Sequence, residues 1–432
     1  MSQESSGTSA RGFKGLVPGA CRIRYGGAMI DEREIEAVNK VMRTGMIIGE
    51  QVQTFEKRVA ALLGHKYGIM VNSGSSALML AMRLLDLPQG SEVITPVLTF
   101  STDVASIVHV GCVPAFVDIV PDTYQIDLDK IERMIGPKTK AISVPNLLGG
   151  IPDWDRLREI ADKHNLLLLE DSCDTLGTTL KGRPPGERAD ISVTSFSIFH
   201  IITCLGNGGM VAVDDERLWD RGLVLRSWGR SSEKYLHGTF QTQSDGRFLE
   251  DVDGIPYDGM FVFEDVAYGF IPNEAGAAFG HVQLDKLDVF ARLRNKVFAS
   301  HDDYFADHAD VFIAPRHRND TATTWINYPV QLRPELGWSR RDLQVHLEAH
   351  GIVTRTIFSG NITRQPMMRG VEYRADPEGY PAADQIMLQG VCLPCHPTMT
   401  EEDCAYLHGV LDKFIAGAAM MQPPPYLDRE EI

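Results

Sequence analysis

The chain contains no apolar run approaching the roughly 20 residues that a membrane-spanning helix requires. Its opening residues, Met1-Ser-Gln-Glu-Ser-Ser-Gly-Thr8, carry no hydrophobic core of the kind a secretory leader needs, so the cytoplasm is the expected compartment. Positive charge is in deficit: 42 Lys and Arg stand against 58 Asp and Glu, a formal net charge of −16. That deficit excludes a general nucleic-acid or anionic-membrane surface and leaves room only for local basic pockets. Cysteine is sparse, with seven scattered through 432 residues, which favours free buried thiols over a disulfide framework. Cys392-Leu-Pro-Cys395-His396 has the spacing of a covalent haem attachment. It lies in an apolar segment ending at Pro397, so neither haem nor metal is expected. What remains is an ordinary globular composition, 44% hydrophobic and 23% charged, long enough for one large domain and a smaller one.

Between about Tyr67 and Val213, short aliphatic or β-branched runs alternate with longer helical stretches. This is the pattern of a mostly parallel sheet covered on both faces. The expected strands are Gly68 to Val71, Glu92 to Thr95, Ala115 to Ile119, Ala141 to Val144, Leu166 to Leu169, Ser192 to Phe196 and Met210 to Val213. Helices are expected over Ser76 to Leu85, over Leu128 to Ile135 with Asp127 as its cap, and over Trp154 to His164. A second unit is expected to hold strands at Trp325 to Leu332 and Val353 to Ile357, with helices at Arg340 to Ala349 and Glu401 to Ile415. The divisions that follow are a flexible segment 1–25, a large domain 26–290, a small C-terminal domain 291–418 and a flexible tail 419–432. Residues 231–261, rich in Gly, Asp, Ser and Gln, read as a long loop inside the large domain.

Lysine is the most informative absence. None occurs between Lys181 and Lys234, a span that contains Ile191-Ser-Val-Thr-Ser195-Phe-Ser-Ile-Phe-His200-Ile-Ile-Thr203-Cys204-Leu-Gly206-Asn-Gly208-Gly209-Met-Val-Ala-Val213. That segment is an apolar run, a short turn carrying His200, a glycine cluster and a second apolar run. Three further segments accompany it in the same region: Val71-Asn-Ser73-Gly-Ser75-Ser76-Ala-Leu78, Thr95-Pro-Val-Leu-Thr-Phe100-Ser-Thr-Asp-Val104, and Leu166-Leu-Leu-Leu-Glu170-Asp171-Ser-Cys173-Asp174. The second unit adds Gly351-Ile-Val-Thr-Arg355-Thr-Ile-Phe-Ser-Gly360-Asn361-Ile-Thr-Arg364-Gln-Pro366.

In that order, from about Asp31 to Ile415, these segments resemble the DegT/DnrJ/EryC1/StrS sugar aminotransferase family. The resemblance implies an α/β chain of aspartate-aminotransferase-like fold type I. A large domain would hold a seven-stranded, mostly parallel sheet, followed by a smaller C-terminal α+β domain. It implies pyridoxal 5′-phosphate (PLP) and its amine form, pyridoxamine 5′-phosphate (PMP), as cofactor. Ser75, Ser76 and Ser195 would then hold the phosphate, Phe100 would stack on the ring, and Asp171 would pair with the pyridine nitrogen. His200 stands where the family places the lysine that binds the cofactor. A branch of the family, the nucleotide-sugar 3-dehydratases, makes the same exchange, and Asp174 also matches that branch. The resemblance therefore implies His200 as acid and base in removal of the 3-hydroxyl from a nucleotide-linked 4-keto-6-deoxyhexose. Glutamate would be the amino donor and a homodimer the working form. Arg355, Asn361 and Arg364, with Arg226 and Arg230 of Arg226-Ser-Trp228-Gly-Arg230, are the candidates for binding substrate carboxylate or phosphate.

The chain departs from the family at three places. Cluster-bearing dehydratases carry cysteines mostly in the loop after Arg230, yet 231–261 contains none, and Cys173 alone matches a cluster ligand. A route without an iron-sulfur cluster is expected. Gly269 and Ile271 replace a phosphate-binding Asn and a basic residue, and Ile201 replaces a second His or an Asn. Two other readings follow: a PMP-dependent aminotransferase, or other modification of a keto sugar or cyclitol, and a catalytically inactive partner subunit.

Overall fold

In the computed structural model, which describes residues 21–240 and 246–420, the apolar runs assemble into one seven-stranded sheet. Its strands are β1 (Tyr67–Val71), β2 (Glu92–Pro96), β3 (Val113–Val117), β4 (Thr139–Pro145), β5 (Leu167–Asp171), β6 (Ile191–Ser195) and β7 (Gly209–Val213). Their spatial order is β1-β7-β6-β5-β4-β2-β3. Strands β2 to β6 pair in parallel, and β7 lies antiparallel between β1 and β6. Both sheet faces are covered, which is why the strands read as continuous apolar runs instead of alternating ones. β5 runs further than its leucines suggest, because pairing with β4 continues to Val144↔Glu170 and Pro145↔Asp171. The sheet itself thus carries two carboxylates to its carboxyl edge.

A second, antiparallel sheet contains β8 (Phe312–Ile313), β9 (Asn327–Leu332), β10 (Arg355–Thr356) and β11 (Gly390–Pro394), in the order β8-β9-β11-β10. Helices Arg340–Ala349 and Glu401–Met420 belong to this unit. Cys392 lies within β11 and is buried. The expected boundary at 290/291 falls inside a single helix, Leu287–Asp307. Phe290 packs with Phe55 and Phe196 beneath the large sheet, whereas Phe298 and Phe305 belong to the core of the small one. A third cluster, with Val97, Leu98 and Phe116 on one side and Ile357, Ile362 and Cys392 on the other, fastens the small unit over the large sheet.

Several expectations are corrected. The segment Leu128 to Ile135 forms two 3₁₀ turns, Leu128–Lys130 and Glu132–Met134, and Asp127 caps only the first. Gly136-Pro137 follows at once and leaves no length to wind an α-helix. The strand expected over Val353 to Ile357 shrinks to Arg355–Thr356. Within 231–261, strands Glu250–Val252 and Ile255–Tyr257 form a hairpin. Its turn residues Asp253 and Gly254 both take positive φ, 53° and 81°, the geometry an Asp-Gly hairpin turn requires. Residues 241–245 of that loop lie outside the described residues, as do 1–20 and 421–432 of the terminal segments expected to be flexible. The end of the first segment is structured: Ile23 bridges to Ile352 and enters the small core. No helix among the described residues is long and apolar enough to cross a membrane.

Candidate active site

The carboxyl ends of β1, β2, β5 and β6 and the loop around Arg355 enclose a cavity of about 800 Å³. This is where an open α/β sheet places its ligands. Ser75, Phe100, Asp171, Asp174, Ser195, His200 and Arg355 all line it.

β1 ends in a turn that starts the helix Gly74–Leu84. Ser73 caps this helix by accepting the Ser76 N–H at 3.1 Å and donates its hydroxyl proton to Ser76 Oγ at 2.9 Å. The Ser76 N–H is therefore taken by the cap, and Ser76, unlike Ser75, does not line the cavity. The donors available to an anion are the first N–H groups of the helix, at Gly74 and Ser75, with the Ser75 hydroxyl. A Cβ at Gly74 would lie 2.6 Å from Ser195 Cβ and 2.8 Å from Ser195 Oγ. Only glycine lets Ser195 close this cradle. Gly74→Ala is expected to displace Ser195 and remove about one charge-assisted hydrogen bond, weakening PLP retention about 10- to 100-fold in a fluorescence titration.

Phe100 precedes the helix Ser101–His109, half-exposed to the cavity and edge-on to Phe358 at 6.4 Å between centroids. Across from it, three buried carboxyl groups converge. Asp171 accepts the Cys173 N–H at 2.9 Å, and burial raises its pKa to about 6. Asp174 accepts the Leu148 N–H at 2.9 Å and is raised by burial to about 7. Asp103, in the first turn of the helix after Phe100, was not singled out from the sequence, where a lone acid at a helix start reads as a dipole partner. It is wholly buried and lies within hydrogen-bonding reach of Asp171. Behind these, Glu170 accepts from Asn146 at 2.7 Å and Ser192 at 2.6 Å, and burial raises it to about 7.

His200 sits in the turn after β6, with its N–H bonded to the Ser197 carbonyl at 3.0 Å. Its Nε2 is 3.8 Å from Asp174 Oδ1, a close neighbour beyond hydrogen-bond length. Its Nδ1 is buried without a partner. Burial, helped by the nearby Arg294 guanidinium, pushes its pKa down to about 4. His200 is therefore neutral at neutral pH and able to accept a proton.

Of the expected basic residues, Arg355 alone lines the cavity; its guanidinium lies 5.0 Å over the Tyr25 ring. Arg226 is fully buried and donates to Glu56 at 2.9 Å. Arg230 stacks on Trp228 at 4.6 Å, outside the cavity. Arg364 forms a two-pronged pair with Asp384, at 2.6 and 2.7 Å. Asn361 donates to the same Asp384 at 2.7 Å and accepts the Thr363 N–H. Arg226, Arg364 and Asn361 each meet an acid distant in sequence, and Arg230 meets the ring of Trp228 two residues before it; none of the four lines the cavity. Tyr25 was missed because its partner is distant too: Asn327 donates to its hydroxyl at 2.8 Å and fixes it on the cavity wall. A Cβ at Gly269 would lie 2.7 Å from the Trp228 indole nitrogen, so a larger residue there requires the half-exposed indole to move.

A seven-stranded sheet with this strand order, a helix N-terminus cradling an anion site, an exposed aromatic face and a carboxyl at the strand edge together define a pyridoxal-phosphate enzyme of the aspartate-aminotransferase-like fold. The residues present fit that cofactor: Gly74, Ser75 and Ser195 at its phosphate, Phe100 at its ring and Asp171 at its nitrogen. The chain belongs to the DegT/DnrJ/EryC1/StrS aminotransferase family, whose sequence pattern matches residues 28–412. It is 30% identical over 412 residues to the lipopolysaccharide biosynthesis protein RfbH of Salmonella typhimurium, covering 93% of each chain. It is also 30% identical over 394 residues to the GDP-4-keto-6-deoxy-D-mannose 3-dehydratase of Yersinia pseudotuberculosis, covering 89% of this chain and 96% of that one. Among solved structures, the Escherichia coli GDP-4-keto-6-deoxy-D-mannose-3-dehydratase with bound hydrated PLP matches with a TM-score of 0.82 and 25% identity. That match covers 90% of this chain and 99% of the other. PLP/PMP is the cofactor, and the family's enzymes act on sugar nucleotides.

Proposed function

We propose that the protein removes the 3-hydroxyl of a nucleotide-linked 4-keto-6-deoxyhexose as water, without an iron-sulfur cluster. The observation that carries this reading is a neutral His200 on the cavity wall, 3.8 Å from Asp174, in a loop that has no lysine. When bound, the cofactor supplies an electron-withdrawing ring conjugated to the reacting carbon. Asp171 holds the proton on the ring nitrogen, and Phe100 keeps water from one face. His200 takes up a proton at a ring nitrogen and delivers it to the departing hydroxyl oxygen, while an ionised Asp174 stabilises the imidazolium so formed. Arg355 receives a substrate carboxylate, that of glutamate as amino donor, in the two-pronged manner a guanidinium allows.

The cluster-free route is supported by the absence of cysteine from 231–261. A homodimer with the site at its boundary is supported by Phe199 on the cavity wall and Leu205 in the same loop, both large apolar side chains left about half-exposed. The second reading, transamination of a keto sugar, is favoured by the family to which the chain belongs. Purified protein loaded with PLP, supplied with glutamate and a panel of nucleotide 4-keto-6-deoxyhexoses, is expected to release a keto sugar lacking one oxygen, read by mass spectrometry, with one 2-oxo acid and one ammonia formed per turnover because glutamate supplies the two electrons. An amino sugar would establish the transaminase instead. Retention of no PLP and no turnover would leave a partner-subunit role.

A further inference from the structure

Asp103 has a partner for only one of its two carboxyl oxygens. Oδ2 accepts the Thr99 hydroxyl at 2.7 Å; Oδ1 is buried with no donor, in a side chain 1% exposed. The groups around it are acidic. Asp171 from β5 is within hydrogen-bonding reach, and Cys173 and Asp174 follow in the next turn. Arg294 acts on Asp174 and His200 and hydrogen-bonds to backbone carbonyls, including that of His200; no cation acts on Asp103. Two carboxylates in contact without a cation repel strongly, and a single shared proton removes that repulsion.

We propose that Asp103 is a positioning residue, a neutral acid whose Oδ1–H donates to the Asp171 carboxylate and keeps it anionic and aimed at the pyridine nitrogen. The inference rests on the cofactor assignment and deepens it. Burial and Asp171 together push Asp103 well above the usual carboxylate range, while its hydrogen bond pulls Asp171 the other way. Asp171 already accepts the Cys173 N–H at 2.9 Å, which favours its anion, whereas Asp103 Oδ1 has no donor, so the proton of the pair is placed on Asp103. With the Cys173 N–H and the Asp103 O–H both donating to it, Asp171 is a weaker base, and the ring proton stays on the cofactor.

Two variants test this. Asp103→Asn keeps a donor at the same place; Asp103→Leu removes it. The ring protonation of bound ¹⁵N-labelled PLP is followed by NMR against pH. Protons exchanged when apo-protein binds PLP are counted by calorimetry in buffers of different ionisation enthalpy. Circular dichroism of each apo-protein reports folding. The Asn variant is expected to match the wild type in ring titration and in proton count. The Leu variant is expected to shift the shared proton about tenfold from the ring nitrogen toward Asp171, seen as a smaller protonated-ring signal at neutral pH, and to weaken PLP about tenfold. A change of about one proton in the Asn variant would show Asp103 ionised and overturn the proposal. An unchanged ring titration in a folded Leu variant would overturn it too. If the Leu variant does not fold, the proton count of the Asn variant decides. Failure of the wild type to bind PLP would instead overturn the cofactor assignment on which the proposal stands.

Discussion

Replacing His200 with asparagine is expected to cut turnover by about 10²- to 10⁴-fold while PLP stays bound. The two effects separate because different residues carry them. On the proposed reading, the cradle of Gly74, Ser75 and Ser195, the Phe100 face and the Asp171 carboxyl hold the cofactor without His200, and no lysine in this loop ties it covalently. Asparagine fills similar space and hydrogen-bonds, yet it cannot accept and return a proton near neutrality. Single-turnover product formation, set beside the absorbance of retained PLP, checks both halves of the prediction. Loss of PLP together with activity would place His200 in binding and not in proton transfer.

The pH dependence of kcat/KM sharpens this prediction. His200 lies at about 4, below its ordinary value, so its imidazole is unprotonated throughout the neutral range. Asp174 lies at about 7, above its ordinary value, so its ionisation falls where the enzyme would work. The rate is expected to rise through both values as pH increases, and Asp174→Asn is expected to remove the limb near 7 while leaving the limb near 4. On stability the two groups act with opposite signs. The lowered pKa of His200 contributes stability at pH above its unfolded value, which is lost as pH falls from about 6.5 toward 4. The raised pKa of Asp174 costs stability as pH climbs through the range up to 7, so the Asn variant is expected to be the more stable protein at pH 8.

The second large effect concerns Arg226. Its guanidinium meets Glu56 at 2.9 Å and the Met70 carbonyl at 3.3 Å, and Glu56 also accepts the Met70 N–H at 2.8 Å. This pair anchors β1, the strand that delivers the phosphate cradle. Arg226→Ala would leave Glu56 buried and uncompensated, at an expected cost of about 3–5 kcal/mol, read as a lower urea midpoint. Replacing both partners with apolar residues is expected to cost far less, since the penalty lies in stranding one charge. A variant of unchanged stability with weakened sugar-nucleotide binding would return Arg226 to the substrate side.

These residues show where sequence reading succeeds and where it stops. The Asp171 and His200 loops were legible because each is a continuous stretch, an apolar strand running straight into its functional turn, and a strand delivers the residue at its end to a known edge of the sheet. The basic residues were not legible in that way. Arg226 and Glu56 are separated by 170 positions, and Arg364 meets an Asp384 that lies in another helix. A guanidinium read alone looks like a ligand for any anion, and only the fold shows which anion it already holds.

By itself, then, the sequence determined the order of strands along the chain, the glycine and serine turns at their ends, the missing lysine and the acids at and after the end of β5. All of these depend on neighbouring residues and on backbone geometry that repeats within a few positions. Tertiary structure alone decided that the Ser76 N–H is spent on a helix cap, that Tyr25 joins the cavity, that Trp228 packs against Gly269 and that Asp103 lies within reach of Asp171. Burial, charge pairing and steric exclusion are set by the groups that folding brings within a few ångströms, and in this chain those groups come mostly from elsewhere in the sequence.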